Sequence, residues 1–253
     1  MLPVLFKVGP LTLHTYGLLA AVGLFTGVFL AARRAGHEGV DKDIVADLGF
    51  YLVLAAIIGS RLLYVVVEYK TYLAEPLRIF KIWEGGLVFF GGVMAAVPTG
   101  WWFVRKHNLD FWKMADIFAP YLALAHAIGR LGCLAAGCCY GRPTDAWFGV
   151  VFTNPDSLAP LGVPLIPTQV FDSLNEFSIF LILIAVRPYK KFQGQLLVMW
   201  LMLYSVGRFF IEIYRGDPRG WLIEGALSTS QFIAILTFIA AGVYFLKSWR
   251  KAK

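Results

Sequence analysis

The segment FWKMADIFAPYLALAHAIGRLGC, residues 111–133, decides the class of fold for this chain. Its residues are predominantly apolar, yet Arg130 lies near its end. Because a helix that crosses a membrane needs about 20 mostly apolar residues, the segment is predicted to span a bilayer. A charge at that depth is unfavourable, so Arg130 is predicted to have a partner or a ligand.

The composition of the whole chain agrees with this interpretation. Hydrophobic residues make up 58% of the 253 residues, charged residues make up 15%, and the mean hydropathy is +0.67. These values exclude a water-soluble globular protein and predict an all-α integral membrane protein with about seven transmembrane helices. The predicted spans are residues 13–33, 44–67, 87–104, 111–133, 169–186, 195–214 and 227–246.

The predicted spans leave no room for a separate soluble domain. Residues 1–253 are therefore predicted to form a single polytopic membrane domain. The longest connection, roughly residues 135–168, contains Pro and Gly and is predicted to form a small periplasmic cap. The sequence contains no internal repeat, which argues against a transporter built from inverted repeats.

Lys and Arg residues are unevenly distributed between the two sides of the predicted spans. Thirteen lie on the side of the C-terminal tail and seven on the opposite side. Since the side richer in Lys and Arg is normally cytoplasmic, we expect the N-terminus outside and the C-terminus in the cytoplasm. The net charge of +7 then reflects topology, and nucleic-acid binding is not predicted.

Three arginines remain that lie within the spans, namely Arg61, Arg130 and Arg208. Ionisable residues at membrane depth usually face the protein interior and mark a functional site. The alternative is an arginine that extends to the lipid headgroups, and for Arg61 the two interpretations are equally good. His126 lies four residues before Arg130, so both are expected on the same face of one helix.

A second charged pattern lies in residues 201–220. Tyr204, Arg208, Glu212 and Arg215 recur at a spacing that places them on one helical stripe. One interpretation is a structural ladder of ion pairs. The other is an anion site, because two arginines and one glutamate leave a net positive charge and guanidinium groups bind phosphate in bidentate geometry.

The three cysteines do not have the spacing of a metal site. Cys138 and Cys139 are adjacent, and the four histidines are far apart in the sequence, so no metal ligand cluster is predicted. An odd number of cysteines cannot all pair within one chain. A bridge from Cys133 to Cys138 or Cys139 stays open, although small apolar packing residues are favoured.

Several motifs together resemble the prolipoprotein diacylglyceryl transferase family. They are HTYGLL (14–19), IIGSRLLYV (57–65), WEGGLVFFGGV (83–93), GRLGCLAAGCCYGR (129–142), PTQVFDSLNE (167–176) and YSVGRFFIEIYRGDP (204–218). The resemblance runs nearly from end to end, and the segments at 129–142 and 204–218 are its most specific parts. It implies transfer of the diacylglyceryl group of phosphatidylglycerol to the lipobox cysteine thiol of a prolipoprotein, which forms a thioether and releases glycerol phosphate.

The resemblance also implies roles for individual residues. Arg130 matches the arginine that binds the lipid headgroup, and Phe90 stands where much of the family has histidine. Two interpretations of His126 stay open: a structural histidine bonded to a backbone carbonyl or a neighbouring side chain, which is slightly favoured, or a base that helps to deprotonate the incoming thiol. The expected catalytic residues are Arg130, Arg208, His126, Tyr16 and Tyr204. The expected substrate-binding residues are Arg130, Arg208, Glu212, Arg215, Arg61 and His14. No metal or cofactor is implied.

The expected partners are phosphatidylglycerol, prolipoprotein signal peptides with a lipobox cysteine, and membrane lipid. The expected location is the bacterial cytoplasmic (inner) membrane, with several membrane crossings. Two other functions remain open. One is a transporter of anions or anionic lipids that uses Arg130 and Arg208 as its binding site. The other is a divergent membrane homologue without catalytic activity.

Overall fold

The computed structural model describes residues 1–9, 11–81, 85–217, 220–223 and 225–252. A few residues used in the sequence analysis lie outside this description. They are Trp83 and Glu84 of the glycine-rich motif, Pro218 of the late motif, and Arg219 and Lys253 of the charge count.

The described part of the chain is mostly helical. The described residues form eight α-helices, which are connected by turns, short strands and two 3₁₀ helices, Pro76–Phe80 and Arg187–Tyr189. The α-helices are α1 (Thr15–His37), α2 (Lys42–Val67), α3 (Tyr69–Ala74), α4 (Phe89–Lys106), α5 (Phe111–Ala136), α6 (Thr168–Val186), α7 (Gln195–Ile213) and α8 (Thr229–Lys251).

Six of the described helices are long and apolar enough to cross a membrane, which makes this a multi-pass membrane protein. They are α1, α2, α5, α6, α7 and α8. Each coincides with a predicted span to within a few residues. The remaining predicted span, 87–104, coincides with α4, which is not among the six. The 18 residues of α4 include Pro98 and end with Arg105 and Lys106, so the count of seven stays a prediction.

Three small antiparallel strand pairs accompany the helices in the part of the chain that the structure describes, and the all-α prediction did not include them. The pairs are β1 (Val4–Val8) with β2 (Leu11–His14), β3 (Val150–Val151) with β4 (Pro164–Leu165), and β5 (Trp221–Ile223) with β6 (Leu227–Ser228). Leu13 and Leu227 were predicted to lie inside spans and lie in strands. Such short strands contain too few residues to establish an alternating pattern in the sequence.

The chain forms two compact units. The first contains residues 1–27 and 115–253, and the second contains residues 28–114. In the first unit, one buried cluster joins Ala119 and Ala123 of α5 to Ile179 and Leu183 of α6 and Leu196 of α7. Small side chains on α5 allow the neighbouring helices to approach closely.

A carboxylate from α5 caps the first turn of α7. Asp116 is 1% exposed, and its Oδ1 accepts hydrogen bonds from the backbone N–H groups of Leu196 (2.8 Å) and Leu197 (3.1 Å). Its Oδ2 accepts from the backbone N–H of Gly194 at 2.8 Å and pairs with Lys190 Nζ at 3.1 Å. The first N–H groups of a helix have no partner within the helix, so Asp116 satisfies donors that would otherwise be buried and unpaired.

In the second unit, α2 and α4 pack through glycine. A Cβ added at Gly59 would meet the carbonyl oxygen of Gly91, and one added at Gly92 would lie 3.0 Å from the carbonyl oxygen of Ala56. The two backbones therefore approach so closely that side chains are excluded at these positions.

The segment between α5 and α6 folds around a small core of its own. Phe152, Ala159 and Leu165 are all buried there. Near its start, Gly141 forms an antiparallel bridge with Arg215, which follows the end of α7. The segment is therefore attached to the ends of the helices that carry the charged side chains.

Candidate functional site

The site of the first unit begins with a buried polar stripe on α6. Gln169, Asp172 and Glu176 are at most 4% exposed, although they lie in a membrane-spanning helix. Their spacing of three and four residues places them on one face. Buried carboxylates require partners, and α5 and α7 supply them.

Glu176 holds His126, and His126 in turn holds Arg130. Glu176 Oε1 lies 2.9 Å from His126 Nδ1, and Arg130 Nε donates to His126 Nε2 at 3.1 Å. A guanidinium N–H is always a donor, so Nε2 is the acceptor and the ring proton of the neutral imidazole lies on Nδ1. Trp200 Nε1 donates to the second oxygen of Glu176 at 3.2 Å. The chain Glu176–His126–Arg130 therefore fixes the orientation of the guanidinium.

Arg130 has further contacts that hold its guanidinium on two sides. Asp172 Oδ2 lies 3.5 Å from Nε, and Nη1 donates to Cys139 Sγ at 3.6 Å. Nη2 has no hydrogen-bond partner within the ranges that the structure describes. The side chain of Arg130 is 15% exposed. One nitrogen of a rigidly held guanidinium is thus available for a ligand.

Arg215 lies beyond the helix on which the sequence analysis placed it. Helix α7 ends at Ile213, and Arg215 Nε and Nη2 bind both oxygens of Asp217 at 2.9 and 3.1 Å. Nη1 lies 3.6 Å from Asp172 Oδ2. The prediction of one stripe through Arg215 is therefore wrong, because the bridge to Gly141 and the acidic partner at position 217 turn the chain away from helical geometry.

Arg208 and Glu212 form the ion pair that the spacing predicted. Arg208 Nη2 lies 2.6 Å from Glu212 Oε2 and donates to Ser230 Oγ at 3.2 Å. Ser228 Oγ donates to the other oxygen of Glu212 at 3.0 Å. Both charged side chains are at most 8% exposed, and they link α7 to the start of α8.

The two tyrosines border the same group. The ring of Tyr204 contacts those of His126 and Trp200, with centroids 5.7 and 5.9 Å apart. Tyr16 is 46% exposed and packs against Gly132, where an added Cβ would lie 3.1 Å from Tyr16 Cα. The phenol of Tyr16 is close enough to Arg130 to interact with it electrostatically. Neither hydroxyl has a hydrogen-bond partner among the described residues.

The three cysteines meet at the end of α5. Their Sγ atoms all lie within 4.8 Å of one another. From their spacing in the sequence, the cysteines were not predicted to form a metal ligand cluster. Their side chains come together because Gly137 (φ 75°) and Cys139 (φ 62°) have positive φ angles, which reverse the chain and bring Cys138 and Cys139 close to Cys133. None of the three cysteines forms a disulfide in the described part of the chain.

The two thiols that lie beyond the end of α5, those of Cys138 and Cys139, have pKa values shifted in opposite directions. Hydrogen bonds with the thiols of Cys133 and Cys138 lower the pKa of Cys139, and the charges of Arg215 and Arg130 lower it further. The contacts of Cys138 with its two neighbours raise the pKa of that thiol, and burial adds to the effect. One of the three sulfurs is therefore the preferred place for a negative charge.

The cluster as a whole is not a net positive stripe. Arg130, Arg208 and Arg215 are matched by Asp172, Glu176, Glu212 and Asp217. The predicted net positive charge considered the side chains of one helix only, whereas the carboxylates of Asp172 and Glu176 come from α6. Anion binding here therefore depends on donors that remain free and correctly directed, as Nη2 of Arg130 does, and not on net charge.

Two predicted substrate-binding residues have surroundings of their own. Arg61 belongs to the second unit, where its three nitrogens donate to the carbonyl oxygens of Arg78, Ile79, Lys81, Gly85 and Gly86 at 2.6–3.2 Å. His14 is an exposed residue of β2, where it pairs with Val4. It has no hydrogen bond, ion pair or ring contact with the cluster in the described part of the chain.

Four residues of the site were not predicted from the sequence, namely Asp172, Glu176, Asp217 and Gln169. A signal for two of them was present, because Asp172 and Glu176 are carboxylates in an apolar span, four residues apart. The rule that selected the buried arginines applies equally to buried acids.

Fold and site together define a multi-pass membrane protein with arginine and carboxylate side chains buried at one end of its first unit. Comparison with known proteins identifies the group to which it is related. The family described as "Prolipoprotein diacylglyceryl transferase" matches residues 3–247. This chain belongs to that family.

Individual relatives match over nearly the whole chain. Phosphatidylglycerol–prolipoprotein diacylglyceryl transferase 2 of Clostridium perfringens is 37% identical over 250 residues, which cover 99% of this chain and 96% of that protein. The phosphatidylglycerol–prolipoprotein diacylglyceryl transferases of Clostridium tetani and Finegoldia magna are each 36% identical, covering 94% and 96% of this chain and 94% of each relative.

Proposed function

We infer that this chain is a phosphatidylglycerol–prolipoprotein diacylglyceryl transferase. It transfers the diacylglyceryl group of phosphatidylglycerol to the lipobox cysteine thiol of a prolipoprotein. A carbon–sulfur bond forms, the carbon–oxygen bond to phosphate breaks, and glycerol phosphate leaves with the electron pair. Family membership and the names of three relatives with matching length support this reaction.

The enzyme acts in the bacterial cytoplasmic membrane with its N-terminus outside and its C-terminus in the cytoplasm. We assign α4 as a seventh span, and residues 135–168 as a periplasmic cap of a single membrane domain. The excess of Lys and Arg on the side of the C-terminal tail supports this orientation. The short separate core at Phe152, Ala159 and Leu165 supports a cap.

The observation that carries the mechanism is the geometry of Arg130. His126, Asp172 and Cys139 hold its guanidinium, and Nη2 remains available on a partly exposed side chain. In this role Nη2 donates to a phosphate oxygen of phosphatidylglycerol. Negative charge accumulates on that phosphate as the carbon–oxygen bond breaks. A fixed donor therefore stabilises the transition state more strongly than it stabilises the bound substrate.

His126 acts as a positioning residue for Arg130. Its Nε2 lone pair accepts from Arg130 Nε, so the atom that a general base would use for the thiol proton is already occupied. Glu176 fixes the ring from the other side. This assignment replaces the base role that the missing histidine at position 90 suggested.

The remaining site residues define the surroundings of the lipid. Tyr204 and Tyr16 are assigned as hydrogen-bond donors to lipid oxygens, because both hydroxyls are available. Arg208, whose charge is paired with Glu212, lies close enough to Tyr204 to interact with it electrostatically and is assigned to the same lipid site. Arg215 supports Asp172 and Asp217 and is not assigned a direct lipid contact, since Asp217 occupies two of its nitrogens.

The decisive experiment measures transfer with purified protein. Phosphatidylglycerol labelled in its acyl chains is incubated with a synthetic lipobox peptide, and labelled peptide is measured together with released glycerol phosphate. The expected result is equal amounts of the two products, and no product with a peptide in which serine replaces the cysteine. A transporter or a non-catalytic homologue yields neither product, and this result from folded protein would overturn the assignment.

Substitutions at Arg130 test the proposed contact. Loss of one charge-assisted contact that strengthens in the transition state costs about 3 kcal/mol, so Arg130→Ala is expected to reduce the rate roughly a hundredfold. Arg130→Lys should restore only part of it, because lysine lacks the planar fork. Arg34→Ala is the matched control, since Arg34 forms a surface pair with Glu38. Full turnover by folded Arg130→Ala protein would refute the contact.

A further inference from the structure

The three-cysteine cluster has the composition and dimensions of a metal site. Cys133, Cys138 and Cys139 present three sulfur atoms that all lie within 4.8 Å of one another. Zinc binds thiolate sulfur at about 2.3 Å, so three sulfurs around one ion lie roughly 4 Å apart. The cluster therefore needs only a small contraction to surround an ion.

The backbone around the cysteines is held in place by buried side chains. Thr168 Oγ1 donates to the carbonyl oxygen of Cys139 at 2.7 Å, and Gln169 Nε2 donates to that of Cys138 at 2.8 Å. Both side chains are 0% exposed. The backbone N–H of Cys138 also donates to the carbonyl oxygen of Cys133 at 3.1 Å. The ligand atoms are thus preorganised by the end of α5 and the start of α6.

The charges next to the cluster suit an anionic metal complex. A divalent ion with three thiolates carries one negative charge in total. Arg130 Nη1 lies 3.6 Å from Cys139 Sγ, and the charge of Arg215 is close enough to act on the same thiol. Two guanidinium groups therefore offset the charge of the complex, which lowers the cost of burying it.

The number of ligands leaves one coordination position open. The group contains three cysteines and no further His, Cys, Asp or Glu among the described residues. Structural zinc sites have four protein ligands, whereas catalytic sites have three and keep the fourth position for water or substrate. The acceptor of the proposed reaction is itself a thiol, and a thiol that coordinates a metal loses its proton.

We propose that Cys133, Cys138 and Cys139 bind one thiophilic divalent cation of the Zn²⁺ class, whose fourth position takes the cysteine thiolate of the acceptor. The second part rests on the proposed transferase function. Coordination removes the thiol proton, which passes to water, and holds the sulfur as a thiolate close to Arg130. This assigns to the metal the deprotonation that His126, already bonded through Nε2, does not perform.

The first measurement is the metal content of the protein purified without chelators. The expected result is about one equivalent of Zn²⁺ per chain. Cys139→Ser and Cys133→Ser are expected to retain less than roughly a tenth of that amount, because each removes a ligand. Ser248→Ala, in the last part of α8, is the control variant and should retain full metal. Thermal unfolding of each variant verifies that it is folded.

The second measurement uses Co²⁺ in place of Zn²⁺ as a spectroscopic probe. A lipobox peptide with a free cysteine is expected to increase the thiolate-to-cobalt charge-transfer absorption, and the serine peptide should leave it unchanged. Absence of bound metal in folded protein, or a disulfide found by mass spectrometry in the active enzyme, would overturn the metal site. Bound Co²⁺ with no response to the cysteine peptide would overturn the acceptor position.

Transfer activity, measured in the same preparations, separates this proposal from the function on which it rests. Full transfer by metal-free protein refutes the metal proposal and leaves the transferase assignment in place. No transfer by protein that is folded and carries metal refutes the transferase assignment, whereas the metal site stands.

Discussion

Substitution of His126 distinguishes a positioning role from a general base, because two replacements separate the two functions. Glutamine keeps a side-chain oxygen that can accept from Arg130 Nε and an amide that can donate to Glu176, yet it cannot take a proton. Leucine has neither group. In the structure, His126 Nε2 lies 3.1 Å from Arg130 Nε, and Nδ1 lies 2.9 Å from Glu176 Oε1.

The expected magnitudes follow from these contacts. A hydrogen bond to a charged group contributes about 1.5–3 kcal/mol, which corresponds to roughly 10- to 100-fold in rate if it all serves to position Arg130. Asp172 Oδ2 lies 3.5 Å from the same Nε and retains part of the restraint. We therefore expect the transfer rate of His126→Leu to be about tenfold lower than that of the parent enzyme, and the rate of His126→Gln to remain within about fivefold of it.

The assay is the rate of diacylglyceryl transfer as a function of pH, with kcat and KM determined for phosphatidylglycerol. A positioning role predicts that the pH profile of His126→Gln keeps the shape of the parent profile. Loss of a general base would lower the transfer rate about 10²- to 10⁴-fold and would change the acidic limb of the pH profile in both variants. Equal large losses in His126→Gln and His126→Leu would refute the positioning role. His37→Gln and His37→Leu, at the exposed end of α1, are the controls.

Three further substitutions test the framework of the site. Asp116→Ala should lower the free energy of unfolding in detergent by about 3 kcal/mol, because it leaves the first N–H groups of α7 and the Lys190 charge without their buried partner. Arg61→Leu should speed tryptic cleavage after Arg78 and Lys81, since five carbonyl oxygens lose their shared donor. Gly141→Ala should reduce both stability and transfer, because its Cβ would lie 2.5 Å from the carbonyl oxygen of Ile166 and 2.8 Å from that of Tyr214. Gly36→Ala, where a Cβ meets nothing within 4 Å, should have little effect.

Each of these has a result that contradicts it. An unchanged melting curve for Asp116→Ala would mean that water satisfies the start of α7. Parental proteolysis of Arg61→Leu would mean that the loop holds its shape without the arginine. Normal transfer by Gly141→Ala would show that the bridge between Gly141 and Arg215 tolerates a side chain and does not fix the site.

The sequence by itself determined the membrane class and most of the helices. Apolar runs of about 20 residues have no stable place in water, so length and composition alone specify the spans. The rule that buried charge marks a site selected Arg130 and Arg208 for the same physical reason. The four-residue separations of His126 from Arg130 and of Arg208 from Glu212 predicted neighbours within one helix, because helical geometry is local.

Tertiary structure decided everything that depends on which helices are neighbours. Asp172 and Glu176 lie far from Arg130 in the sequence, and only the packing of α6 on α5 makes them its partners. Arg215 was predicted to lie on the stripe of α7 and instead pairs with Asp172 and Asp217, because α7 ends at Ile213. The cysteine cluster depends on two residues with positive φ, at positions 137 and 139. The spacing of residues in the sequence does not predict where side chains lie when the backbone reverses its direction. Side-chain partners across helices are set by packing, which one-dimensional periodicity does not contain.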